Sequence, residues 1–220
     1  MSKIQENKKL KKERLLDAAY ELFTTKGVDE TSVSDITKKA LVAKGTFYLY
    51  FKDKYEIEKI LISRKSNIII ATGITATIKK HLPTKEENLF YFINYVIDCL
   101  NTDTTLLTFI QKNLSWGVFT EAISGEQTDS IFDIKKLINI FVYDIDVTGC
   151  TIEDVNNIDD IVFDKTRINY KDVDIMIYTI IEVISSTLYS VILSKKPTDL
   201  ETYKPYLFGL INAILKQHEI

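Results

Sequence analysis

Residues that bend or break a chain are scarce here. Only 7 glycines and 3 prolines are spread over 220 residues, too few to punctuate the turns of a many-stranded sandwich or barrel. That leaves long helices as the expected building blocks. Cysteine is equally sparse: Cys99 and Cys150 match no ligand spacing for zinc or an iron–sulfur cluster. No metal, no cofactor and no catalytic constellation is therefore expected. The two histidines, His81 and His218, are far apart and read as surface residues at helix ends, where a cation suits the dipole. No apolar leader is evident in the lysine-rich residues 1–14, so a cytoplasmic protein with two free thiols is expected.

Long hydrophobic runs are also rare, with one exception. Ile175 to Leu193 spans 19 residues with a single charge, within the length range of a membrane helix. Glu182 falls near its middle, where an acidic side chain costs roughly 2.5–3.5 kcal/mol on insertion. The expectation is no membrane span. A helix apolar on nearly all sides also serves when one face meets its own core and another meets a partner.

What the chain does have is 45% hydrophobic residues, enough for a core, and an uneven charge. Residues 1–65 carry 15 Lys/Arg against 10 Asp/Glu, whereas residues 66–220 carry 13 against 21. The N-terminal part thus has the sign that suits a polyanion.

Apolar residues recur at three and four from Leu15 through Ala18, Ala19, Leu22 and Phe23, and Gly27 stands where a helix wants a left-handed end. Ser32 and Asp35 form a capping box for a second short helix to about Ala40, and a third covers about 44–51. Asp53 and Glu56 cap a long fourth helix reaching toward Lys80, ahead of Pro83. Thr84 and Glu87 open another, and further helices are expected at 104–124, 130–143, 172–194 and from near Glu201 to about Gln217. The last start keeps Pro205 in the first turn, where its missing N–H breaks no bond. An acidic stretch at 144–171 has weak periodicity and reads as a loop.

The stretch Lys38–Lys54 concentrates the functional signal, with Phe47, Tyr48, Tyr50 and Phe51 framed by Lys38, Lys39, Lys44, Lys52 and Lys54. At about 100° per residue, Phe47 and Phe51 share an inward face, while Gly45, Thr46 and Leu49 lie opposite with Tyr48 and Tyr50 on the flanks. Two short helices joined by a tight turn, the second showing hydroxyls among lysines, follow the plan of a helix-turn-helix. Gly45 would let the backbone approach DNA, Thr46 and Tyr48 would meet base edges, and Tyr50, Lys44 and Lys54 would reach phosphates.

Arg14 to Leu61 resembles the DNA-binding region of the tetracycline-repressor (TetR/AcrR) family of bacterial transcription regulators. The alanine pair, Leu22-Phe23, Gly27, the Thr31-Ser32 start, the run from Lys44 to Phe51 and Lys54 fall in that family's order. Two positions depart from it: Leu41 stands where glycine is usual in the turn, and Ala43 where serine or threonine often caps the third helix. The resemblance implies an all-α protein, with a helix-turn-helix domain at 8–54, to which Thr31 and Ser32 add DNA contacts, and a ligand-sensing and dimerisation domain at 55–220. It also implies a pocket lined by Phe90, Phe92, Tyr95, Phe109, Trp116 and Phe119, which would take a small lipophilic or aromatic effector. The two closing helices would pair with their mates through Ile177, Ile181, Ile184, Leu188, Ile192, Leu207 and Ile211. The expected function is a homodimeric repressor that binds palindromic double-stranded operator DNA and is released by its effector. A protein-controlled or constitutive regulator is the alternative.

Two other constellations are weaker. Asp144 and Asp146, followed by Asp159, Asp160 and Asp164, imitate phosphatase motifs, but too few residues separate them for the crossover that parallel strands need. The same stretch starts like a calcium loop, yet Val155 stands where a bidentate glutamate is required.

Overall fold

A computed structural model describes residues 3–111 and 170–220. Numbered among these, the helices are α1 (Lys3–Lys26), α2 (Val33–Lys39), α3 (Lys44–Phe47), α4 (Lys54–Lys80), α5 (Lys85–Thr102), α6 (Thr104–Gln111), α7 (Val173–Tyr189) and α8 (Leu200–His218), with a π-helical turn at Ser190–Ser194. The expected helix at 130–143, the acidic stretch up to residue 169, Cys150, Trp116 and Phe119 lie outside the described residues. No strand occurs among the described residues; Tyr170 and Glu219 form one isolated bridge.

The chain divides into two compact units, Met1–Lys65 and Ser66–Ile220. The division falls within α4 and not before it at 54/55, because the first turns of α4 belong to the N-terminal core. Ile57, Leu61 and Ile62 are buried there, and Arg64 makes a bidentate pair with Glu13 of α1 at 2.7 and 3.1 Å. Leu15, Leu16, Ala19, Phe23, Ile36, Phe47 and Phe51 complete that core.

The helix boundaries follow local chemistry. Gly27 ends α1 at φ +89°, its N–H bonding Phe23 O at 3.1 Å. Thr84 and Glu87 cap α5 reciprocally, and Asp53 Oδ1 accepts the N–H groups of Tyr55 and Glu56, both at 2.9 Å, at the start of α4. In α8 the cap chosen is Asp199, which accepts Thr202 N–H at 2.9 Å. The helix therefore begins at Leu200, one residue earlier than expected, and Pro205 falls in its second turn.

In the second unit α4 and α5 approach closely at Gly73. A methyl group there would lie 2.9 Å from Phe92 Cε2 and 3.1 Å from Tyr95 Cδ1, so the contact requires glycine. Phe92 and Phe109 are buried, Phe90 and Tyr95 half-buried, and Phe90 meets Phe208 of α8 edge-on at 5.4 Å. α7 packs on α8 and α6. His218, expected at the surface, is buried, its Nδ1 2.9 Å from Lys171 O. Lys171 N–H in turn bonds His218 O at 2.7 Å, tying the end of α8 to the segment that enters α7.

Leu188, Ile192, Leu207 and Ile211 are buried within the single chain. This corrects their assignment to a partner interface: they fill the seam of the protomer itself. Ile177, Ile181 and Ile184 are half-buried. The apolar side chains turned outward are instead Ile175 and Tyr178 on α7 and Tyr206 and Leu210 on α8, from 44 to 73% exposed. Ile175–Ser194 is long and apolar enough to cross a membrane by length and composition, and only 28% of it is buried.

Candidate nucleic-acid interface

The interface candidate is built on α2, the turn after it, and α3. Ser32 Oγ accepts Asp35 N–H at 3.1 Å while Asp35 Oδ2 accepts Ser32 N–H at 2.9 Å, so both ends of the box are closed. Lys26 adds an ion pair to the same carboxylate oxygen at 2.9 Å. The Ser32 N–H first, then Lys26, hold the Asp35 carboxyl far below the usual carboxylate range. Ile36 and Thr37 of α2 are buried. Ser32 is exposed but spends its side chain on the cap.

The turn accepts a left-handed leucine. Leu41 has φ +55°, a conformation that costs a residue with a Cβ roughly 1–2 kcal/mol, and its side chain is 80% exposed. Leu41 N–H bonds Lys38 O at 3.3 Å and Val42 N–H bonds Thr37 O at 3.0 Å, while Leu41 O accepts from Arg14 at 3.4 Å. These bonds hold the strained residue in place. Ala43 then starts α3 with no side-chain cap.

α3 is shorter than expected, ending at Phe47 and continuing as tight turns to Phe51. Four residues give one helical turn. Phe47 and Phe51, buried to 0% and 2% exposure, meet at a tilt with ring centroids 5.7 Å apart and fasten the segment to the core. This fixes the opposite face outward: Lys44, Gly45, Tyr48 and Leu49 are exposed, with Thr46 and Tyr50 half-buried. Tyr48, 57% exposed, is held edge-on to Phe47 at 5.3 Å, which sets the direction of its hydroxyl end. Gly45 has no positive φ, and nothing lies within 4 Å of where its Cβ would be. Nothing among the described residues demands a glycine there.

Besides Ser32, two residues expected at the interface have internal tasks. Thr31 is 1% exposed, its hydroxyl donating to Gly27 O at 2.7 Å, so it closes the α1–α2 loop and cannot touch DNA. Lys54 donates to Val28 O at 2.8 Å, Asp29 O at 2.9 Å and Thr31 O at 3.0 Å. All three ammonium protons are thereby engaged. It clamps the first residue of α4 to that loop and is not a phosphate contact. Lys39 is likewise paired with Glu21, whereas Lys38, Lys44 and Lys52 are exposed. Leu41 and Leu49, 80% and 79% exposed, were absent from the expected site. The wheel position of Leu49 opposite Phe47 was the available signal, and nothing local marked Leu41.

Comparison with known proteins agrees with this geometry. Residues 15–58 match the family model described as bacterial regulatory proteins, tetR family. An HTH-type transcriptional regulator of Bacillus subtilis, YvdT, is 33% identical over 146 residues, covering 63% of this chain and 70% of the relative. Among solved structures, a tetR family transcription regulator from Shewanella sp. PV-4 superposes with TM-score 0.61 at 14% identity, covering 96% of this chain and 98% of the other. FadR from Bacillus subtilis, solved in complex with stearoyl-CoA, superposes with TM-score 0.55 at 24% identity, covering 90% and 96%. At these identities the solved structures speak for the fold.

Proposed function

The chain belongs to the tetR family of bacterial regulatory proteins, and from that premise we propose that this transcription regulator is a cytoplasmic homodimeric repressor whose α3 reads palindromic operator DNA. The observation that carries the reading of α3 is Gly45. In a helix glycine costs roughly 1 kcal/mol relative to alanine, and here neither backbone conformation nor packing returns that cost. A surface on which another molecule comes close does return it. Lys44 supplies a phosphate contact, Thr46 and Tyr48 reach base edges, Tyr50 reaches the backbone, and Leu49 adds an apolar side chain suited to a thymine methyl.

The dimer is formed by the outward stripe of α7 and α8, in which Tyr206 and Leu210 flank Gly209. Gly209 is a second exposed helical glycine with nothing within 4 Å of its Cβ position. Two recognition segments then meet half-sites about 34 Å apart. α7 is read as a dimer helix, with no membrane involved.

The effector is an acyl chain carried by coenzyme A or a similar lipophilic molecule, held by the second unit. Support comes from the similar fold of a regulator solved with stearoyl-CoA and from the aromatic side chains Phe90, Phe92, Tyr95, Phe109, Trp116 and Phe119. Release follows if the ligand prefers the conformation that does not bind DNA. α4 is the mechanical link, because it runs through both units and Lys54 locks its first residue to the α1–α2 loop. No enzymatic step is proposed.

Gly45→Leu tests the reading of α3. The space around Gly45 is open, so the variant should melt like wild type and lose operator binding. Retention of operator affinity in a folded Gly45→Leu protein would refute it.

A further inference from the structure

Asn67 of α4 is 7% exposed, and neither its amide nitrogen nor its amide oxygen has a hydrogen-bond partner among the described residues. An amide offers two donors and two acceptor positions, and burying it with none satisfied is one of the more expensive conditions a side chain can meet. Three hydroxyls further along the same helix avoid it. Thr72, Thr75 and Thr77 each return their hydroxyl to the carbonyl four residues back, at 2.8 Å in every case. Asn67 makes no such bond. Two helical turns separate it from Ile74, which is 1% exposed, so both side chains share the interior face of the helix. Ser63 Oγ is also buried and unpartnered, but Ser63 belongs to the N-terminal unit.

We propose that Asn67 is the polar anchor of the effector site, its amide donating to the acyl carbonyl of a long-chain ligand whose remaining buried part is apolar. The inference rests on the ligand-responsive reading above and specifies the group that is recognised. An amide brings hydrogen bonds without charge, which matches a neutral carbonyl better than a phosphate or a carboxylate. It also explains why a buried amide is kept where an apolar side chain would stabilise the free protein. The acyl thioester of stearoyl-CoA and the carboxyl group of stearic acid both carry the carbonyl; the uncharged thioester is the expected preference.

The test compares wild type with Asn67→Leu and Asn67→Ala by thermal melting without ligand, and by titration with stearoyl-CoA, stearic acid and the octadecyl thioether of coenzyme A, which lacks the carbonyl. Wild type should prefer the thioester over the thioether by about five- to thirty-fold. Both variants should erase that preference, and at least one of them should melt at or above the wild-type temperature. Equal binding of stearoyl-CoA by wild type and both variants would overturn the proposal. So would a marked fall in the melting temperature of both ligand-free variants, the smaller Asn67→Ala included, because it would show that the amide is already satisfied, for instance by a buried water. If neither stearoyl-CoA nor stearic acid binds wild type, the acyl-ligand reading fails and the assignment of the Asn67 amide to an acyl carbonyl falls with it, whatever the melting temperatures of the variants.

Discussion

Replacing Lys54 by methionine keeps most of the apolar stem and removes the ammonium that holds Val28 O, Asp29 O and Thr31 O at 2.8–3.0 Å. Hydrogen bonds from a charged donor contribute about 1.5–3 kcal/mol each when shielded. Lys54 is only half-buried and Asp29 is exposed, so water can replace part of that stabilisation, and the net cost is about 2–3 kcal/mol. The N-terminal unit should melt earlier, and operator affinity should fall because the α1–α2 loop and the start of α4 separate. The slope of log affinity against log salt should not change, since Lys54 neutralises no phosphate. Lys44→Met should behave in the opposite way, leaving melting intact and lowering the magnitude of the slope by about 0.9 for each phosphate no longer neutralised. Fluorescence anisotropy across a salt series, beside thermal melting, separates the two. A Lys54→Met protein with wild-type stability and a reduced slope would refute the clamp and restore the phosphate role.

Leu41→Gly should stabilise the protein by up to about 1 kcal/mol, the relief of a left-handed leucine less the added freedom of the unfolded chain, and chemical denaturation reads this directly. Burial, then the Glu86 carboxylate 3.5 Å away, pushes the Tyr170 phenol up to about 12. A raised folded-state value means stability that is full below about pH 10 and lost as pH rises from there toward 12. Tyr170→Phe should lack that alkaline loss, and parallel slopes for the two proteins above pH 10 would contradict the assignment. Leu210→Asp should give folded monomers in sedimentation, whereas Leu188→Asp, placed in the seam inside the protomer, should unfold the second unit; monomers from Leu188→Asp with unchanged melting would reverse the two roles.

Much of this organisation was legible because its causes are local. Ser32 with Asp35, Thr84 with Glu87, Gly27 and the Phe47–Phe51 pair each act across at most four residues, and spacing along the chain reports such interactions faithfully. Leu41 was marked only by the family resemblance, as a residue with a Cβ standing where glycine is usual in the turn, and the structure gives it φ +55°. Lys54 was not legible, since its three acceptors lie 23 to 26 residues away and a lysine among lysines carries no mark of burial. Thr31 was missed although its acceptor, Gly27 O, is only four residues back, because its hydroxyl looks like a helix-start group until the loop closes over it. α7 failed for a different reason. A helix apolar on most sides has no single period to say which stripe turns inward, so Leu188, and Ile192 in the π-helical turn after it, could be assigned to a partner when they belong to the protomer core. Asn67 gave no signal at all, because an asparagine in a helix is normally solvated.

The central claim is that α3 and the turn that follows it read base sequence, and Tyr48→Ala tests it most directly. Tyr48 is exposed, aimed by its contact with Phe47, and plays no part in the core. Affinity should be measured by anisotropy at fixed salt for an operator duplex selected from random DNA and for a scrambled duplex of the same length. The account predicts a loss of about 1–3 kcal/mol on the operator with the scrambled duplex bound as before. An equal loss on both, or none on either, would contradict it.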